Sequence, residues 1–286
     1  MTSTETQPFV GIVHDLDNAD YHALSDLGSS GLKALAKSPA HYYGAYLDPN
    51  RPKAESTAAQ KAGTLAHCAI LEPHALDARY VIKPEGHDGR TKEGKAWCAQ
   101  MAGFEIITAD QLLTAKRQSV ALRQIPKIAA LLSRGRPEVS AFWVDPETGV
   151  RCKCRPDWVA PDGEGVVLVD LKTCQDASPE GFAKAVAKYS YHLQAAHYSA
   201  GYAAASGQRV KAFVFACVEA DYPHAAAAYQ LDDVSMQEGI DLRAGLLELF
   251  ADCQRSNVWP GYSQDIQPLS LPSWALTPQE VEVFYA

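Results

Sequence analysis

The 286-residue sequence has seven cysteines but no C-x-x-C pair and no close trio of cysteines near its end. A cysteine-held zinc or iron–sulfur centre is therefore excluded, and free thiols are expected. The single C-x-C, Cys152 and Cys154, lies in an extended run whose alternation turns both thiols to one side. No apolar run reaches the length of a membrane span, and no secretory signal opens the chain, so a protein of the reducing cytoplasm with no membrane association is expected. Internal repeats, low-complexity tracts and an interdomain linker are all missing. With 47% hydrophobic residues, one large domain with a sizeable core is the expected organisation.

Acidic residues are absent from Gln111 to Pro137, although the chain carries a formal net charge of −8. That balance is unusual for a DNA binder but does not exclude binding, which depends on where the basic groups lie. Lys116, Arg117, Arg123, Lys127, Arg134 and Arg136 fill the acid-free segment. They read as a DNA-facing surface or as the solvated side of amphipathic helices. The second is expected, with Leu112, Leu113, Val120, Leu122, Ile125, Ile128 and Leu131 inside.

What is present begins with Arg155-Pro156-Asp157 and with the apolar run Val166 to Val169 that ends in Asp170-Leu171-Lys172. Glu138 to Val144 and Val150 to Val159 are two extended runs joined by the turn Asp145-Pro146-Glu147-Thr148-Gly149, a hairpin signature. A second turn at 161–165 leads into a third strand, Val166 to Thr173, and sets Asp157 beside Asp170. The period of two puts Asp170 and Lys172 on one face and leaves the Leu171 carbonyl free to ligate. Carboxylates hold a hard divalent cation, and an ammonium steadies an attacking water or a phosphate. A lone D-x-K or P-D is ordinary surface chemistry. Here the charges end a run buried on both faces, where uncompensated charge is costly and marks a site. Glu138, at a strand opening, reads either as a supporting acid near the ion or, more commonly for such a place, as a solvated residue, and its role is left open outside that site.

Ser178-Pro179-Glu180 starts a helix running to about residue 205, with Tyr191, Gln194 and Tyr198 on one face. Gln194 and Tyr198 are placed to reach the site, whereas Tyr191 reads as packing. Residues 63–72 form a largely apolar helix in which His67, on pattern alone, is a core residue more often than a ligand. Arg209 to Ala220 and Ala225 to Leu231 are further strands. Asp232 to about Ser256 is a helix with Leu242, Leu246, Leu247 and Phe250 facing inward.

The ordered set of motifs resembles the PD-(D/E)XK nuclease superfamily, specifically its RecB-like branch and the exonuclease VIII (RecE) type. It comprises Asn18-Ala19-Asp20-Tyr21-His22, Ser30-Gly31-Leu32-Lys33 with Ser38-Pro39-Ala40, Gly63-Thr64-Leu65-Ala66-His67, Arg90-Thr91-Lys92-Glu93-Gly94-Lys95, Cys154 to Asp157, Asp170 to Thr173, and Gln194 with Tyr198. The resemblance implies an α/β, restriction-endonuclease-like core with a mixed sheet flanked by helices. Residues 1–60 would be an N-terminal helical extension, 61–256 the nuclease core and 257–286 a tail.

It also implies that His67, Asp157, Asp170 and the Leu171 carbonyl hold Mg2+ or Mn2+, that Lys172 positions the water, and that Gln194 and Tyr198 contact the DNA strand. Arg90 and Lys95 would meet phosphates, and Ser30 is either an N-cap or a contact to a terminal 5′-phosphate. The implied activity is exonucleolytic digestion of duplex DNA ends from the 5′ side, leaving 3′ tails for a single-strand annealing protein. A toroidal homo-oligomer is the implied assembly. A RecB-like nuclease of other polarity or substrate, and a non-hydrolytic DNA-binding scaffold, remain as alternatives.

Overall fold

The turn at 161–165 folds back on itself to make the central hairpin of a mixed sheet in the computed structural model, which describes residues 9–52 and 56–272. Its strands are β1 (Gly11–Val13), β2 (Tyr80–Ile82), β3 (Glu105–Ile107), β4 (Arg136–Pro137), β5 (Ser140–Val144), β6 (Arg151–Cys154), β7 (Trp158–Asp162), β8 (Gly165–Cys174), β9 (Arg209–Glu219) and β10 (Ala226–Tyr229). The helices are α1 (Asn18–Ala23), α2 (Ser29–Lys37), α3 (Pro39–Tyr42), α4 (Ala58–Leu71), α5 (Leu76–Arg79), α6 (Lys92–Gln100), α7 (Ala109–Arg123), α8 (Pro126–Leu132), α9 (Pro179–Lys188), α10 (Tyr191–Ser206) and α11 (Asp233–Ser256).

The main sheet has the order β10-β9-β8-β7-β4. All its pairs are antiparallel except β8 with β9, which α9 and α10 connect by a crossover. A smaller sheet, β1-β5-β6, lies beside it. This is the expected restriction-endonuclease-like α/β architecture.

β8 is apolar from Val166 to Val169 and again at Leu171 because it is covered on both faces. Val166 and Leu168 face a core with Leu193, Phe213, Phe215 and Leu247. Val167, Val169 and Leu171 face a second core with Ile70, Leu122, Ile128 and Val218. Thus α10 and α11 lie over one face and α4, α7 and α8 over the other. α4 starts at a capping box in which Thr57 and Gln60 exchange side-chain and backbone hydrogen bonds.

Several expectations need correction. The run from Val150 to Val159 divides: β6 joins the small sheet, β7 joins the main one, and Arg155 to Asp157 cross between them. The helix expected from 179 to about 205 breaks at Ser190, whose left-handed φ of +50° starts α10 in a new direction. Leu113 and Val120, expected inside, are 46% and 58% exposed, because Ala115, Gln118 and Leu122 form the inner face of α7. Gly28, not Ser30, is the N-cap residue of α2. The N-terminal extension contributes β1 to a sheet as well as helices.

The tail docks on its own chain at its start. Trp259 stacks on Tyr42 with ring centroids 5.3 Å apart, and Pro260 accepts the Ala40 N–H at 3.0 Å. The remainder of the tail after residue 272 lies outside the described residues. Among the described residues no helix is long and apolar enough to cross a membrane, and all seven cysteines are free.

Candidate metal centre

The β7–β8 ladder closes at Trp158 opposite Val169. Beyond that pair β8 continues alone on this side, so Asp157 arrives level with Asp170 at an open edge. The vacated edge is used at once: Asp157 Oδ2 accepts the Leu171 N–H at 2.7 Å. The N–H and C=O of a residue in an extended strand point to the same side. The Leu171 carbonyl therefore faces the same space, past the end of the ladder.

Two further groups converge there. α4 carries His67, whose Nδ1 lies 3.7 Å from Asp157 Oδ2. Glu138, between β4 and β5, adopts a left-handed φ of +50° and donates its N–H to the Asp157 carbonyl at 3.0 Å. Such a backbone is uncommon for a residue with a Cβ and concentrates at functional sites. Ligand atoms of His67, Glu138 and Asp157 all lie within 4.8 Å of one another. Burial, reinforced by Asp157, pushes the Glu138 carboxyl up to about 8. Burial likewise raises Asp157, with Asp170 adding to it and His67 and Lys172 opposing.

Asp170, only 1% exposed, sits beside this trio in a second network. Its Oδ1 accepts from Gln194 Nε2 at 2.6 Å and its Oδ2 pairs with the Lys172 ammonium. Gln194 Oε1 in turn accepts from Lys172 at 3.4 Å and from Lys33 at 3.1 Å. The amide orientation is dictated by charge: its NH2 can only face the carboxylate and its oxygen the two ammoniums. The Tyr191 ring lies under both cations, 4.6 Å from Lys172 Nζ and 5.1 Å from Lys33 Nζ. Burial pulls the Lys172 ammonium down, but Asp170 and Asp157 outweigh it and leave it raised. Burial and then the neighbouring Lys172 lower Lys33 to about 8.

The structure thus brings His67, Asp157, Asp170, Leu171, Lys172 and Gln194 together. It also adds three residues read otherwise in the sequence. Glu138 is the third member of the tightest ligand group rather than a solvated acid. Its available signal was its place one residue before Val139 and Ser140, both almost wholly buried. Lys33 enters from α2, a long-range pairing with no local signature. Tyr191 does pack on Phe182 and Phe215, but it also floors the two lysines.

The remaining predicted positions lie elsewhere. Tyr198, a turn further along α10, meets Phe213 edge-on at 6.2 Å. Ser30 is exposed in the first turn of α2. Arg90 forks onto Asp88, and Lys95 is exposed on α6. Neither basic residue touches the cluster among the described contacts. The glycine of their motif has a local cause, since a Cβ on Gly94 would come within 1.9 Å of the Asp88 carbonyl oxygen.

Two carboxylates and an imidazole, with a third carboxylate and a backbone carbonyl adjacent, form a mostly oxygen donor set suited to Mg2+ or Mn2+. A divalent cation would relieve the charge that burial penalises in Glu138 and Asp157.

The sequence matches a family described as a PDDEXK-like domain of unknown function (DUF3799) over residues 28–272. No curated protein matches it. Among solved structures, one assigned as an exonuclease of Eubacterium rectale is similar with a TM-score of 0.57 and 15% identity, covering 90% of this chain and 97% of its own. An alkaline exonuclease of Laribacter hongkongensis is similar with a TM-score of 0.32 and 12% identity, covering 83% of this chain and 95% of its own.

Proposed function

The chain belongs to the DUF3799 family of PDDEXK-like domains, and from that membership and its site we propose that it is a divalent-metal-dependent nuclease. The observation that carries this reading is the convergence of His67, Glu138 and Asp157, with Asp170 and Lys172 beside them, at the open edge of β8. His67, Glu138, Asp157, Asp170 and the Leu171 carbonyl would hold Mg2+, or Mn2+, which supplies an activated water and neutralises charge on the phosphate.

The chain's own groups do the rest. Gln194 holds Asp170 and Lys172 in fixed orientation through its two ends. Lys172, kept cationic by Asp170 and Asp157, faces the developing negative charge on the phosphate and steadies the water. The buried setting strengthens these electrostatic contacts by excluding solvent.

The finer reading is an exodeoxyribonuclease that digests linear duplex DNA from the 5′ end and leaves 3′ tails. A strand-annealing protein would take up those tails, and a ring-shaped homo-oligomer would enclose the duplex. The ordered motif set resembling exonuclease VIII supports it. The test is digestion of end-labelled linear duplexes with Mg2+ or Mn2+, carrying 5′-phosphate or 5′-hydroxyl ends, beside Asp157→Ala and Lys172→Ala. Loss of label from 5′ ends alone, abolished by both substitutions, is the expected result. Binding without cleavage would instead make the protein a scaffold, and release from 3′ ends or single strands would assign the other polarity or substrate.

A further inference from the structure

Outside the ligand cluster, a cleft of about 940 Å3 opens at the carboxyl end of β8, between the α4/α7 layer and the α9/α10 layer. Crevices at the carboxyl ends of parallel strands are where open α/β sheets bind ligands, because the helices on the two faces part there. The cleft adjoins the site. Gly63 lines it one turn before His67 on the same face of α4, Thr173 follows Lys172 on β8, and Tyr191 borders both spaces.

From this adjacency and the lining chemistry we propose that the cleft is a channel for one unpaired DNA strand, leading to the metal centre along α4. The inference rests on the nuclease reading and deepens it: the substrate must be single-stranded where it passes. One wall carries Lys184 and Lys188, a helical turn apart on α9, which face the phosphates. Tyr189, 49% exposed and 5.6 Å from the Tyr191 ring between centroids, offers an aromatic surface to bases, which stack without regard to sequence. The other wall is kept open by Ala59, Ala62 and Gly63.

Two acids also line the cleft and fix the side on which phosphates run. Asp110 lies on the α7 wall, opposite the lysines. The Asp176 carboxylate is already engaged by the Ser178 N–H at 2.8 Å. Lys184 has an exposed partner, Glu180, at 2.8 Å, a solvent-screened pair that a phosphate can replace. The volume is at the upper end of the range for enclosed small-ligand sites, roughly 300–1,000 Å3, which fits a short run of nucleotides and not a duplex.

The test measures binding of a fluorescent single-stranded oligonucleotide with Ca2+ in place of Mg2+, together with Mg2+-dependent hydrolysis of DNA and of bis(p-nitrophenyl) phosphate. Ala62→Trp fills the channel from an exposed position. Lys184→Gln/Lys188→Gln removes its cations. Both variants are expected to bind the strand about tenfold more weakly or worse. The double variant should also lower the salt slope of binding by about 1.4, the share of two phosphate contacts. Hydrolysis of the small phosphodiester should stay at the wild-type rate, because the metal centre is untouched. Equal strand affinity in wild type and both variants overturns the channel. A wild type that binds the strand yet hydrolyses neither substrate sinks the nuclease reading and leaves the channel standing on its binding data.

Discussion

Two aspartates at strand ends of this protein, one beside the small sheet and one beside the main sheet, are withdrawn from water under opposite terms. Asp145, 5% exposed at the end of β5, accepts the Thr148 N–H at 3.2 Å, the Thr148 hydroxyl at 2.9 Å and Arg243 Nη2 at 2.8 Å. Burial would raise its carboxyl, but Thr148 and Arg243 outweigh that and hold it below the usual range. Asp157 has a single short hydrogen bond, from Leu171, and a neighbouring Glu138 that burial also penalises. Its carboxyl is pushed up instead.

The lysines divide in the same way. Lys153 donates to the Tyr21 carbonyl at 2.7 Å and the Leu24 carbonyl at 2.6 Å, tying α1 to β6, whereas Lys33 has only the Gln194 oxygen. Charge satisfied within the fold holds it together. Charge left under-compensated at the edge of β8 is suited to a cation and a phosphate.

The contrast can be broken most severely through activity. Asp157→Ala should cost on the order of 10³-fold or more in DNA digestion, while thermal unfolding of the metal-free protein shows no loss of melting temperature. A large loss of stability would place Asp157 with Asp145 as a structural acid. Next in size is Asp145→Ala, which strands the half-buried Arg243 and should destabilise the fold by about 3 kcal/mol. Circular dichroism would register this as a fall of about 5 °C or more, and an unchanged melt would void the comparison.

Smaller still, Lys33→Met should raise KM for DNA about tenfold, the worth of one charge-assisted contact, with kcat little changed and Lys33→Arg restoring the wild-type value. A fall in kcat alone would give Lys33 a different role. The subtlest effect concerns Glu138. Its pKa is raised on folding from 4.5 to about 8, so the folded chain binds the extra proton and metal-free stability falls as pH rises through that window. Glu138→Gln should remove this slope and raise the melting temperature relative to wild type at pH values above the window. A variant whose pH profile parallels wild type would show that Glu138 is not buried as described.

The fold and the centre of the site were legible to different degrees. β8 could be read from Val166 to Val169 because the layers packed on its two faces leave no polar position in that run. Asp170 and Lys172 then followed from its period, and the turn at 161–165 placed Asp157 opposite. His67 was ambiguous from pattern alone, since a histidine among Ala66, Ala69 and Ile70 looks like a core residue, and only the motif resemblance marked it as a ligand. Ser190 was missed because nothing in its neighbourhood breaks helical periodicity; the left-handed turn is imposed by tertiary packing. Glu138 and Lys33 depended on where a loop and a distant helix come to rest, which local spacing does not encode.

The parallel pairing of β8 with β9 has a consequence for synthesis. β9 ends at Glu219, after two intervening helices, so a chain still emerging from the ribosome cannot hold the Asp170 strand on both edges. Pairing over such a separation is also a slow step in folding. Until it is made, the nascent polypeptide lacks the formed edge on which Asp170 and Lys172 stand.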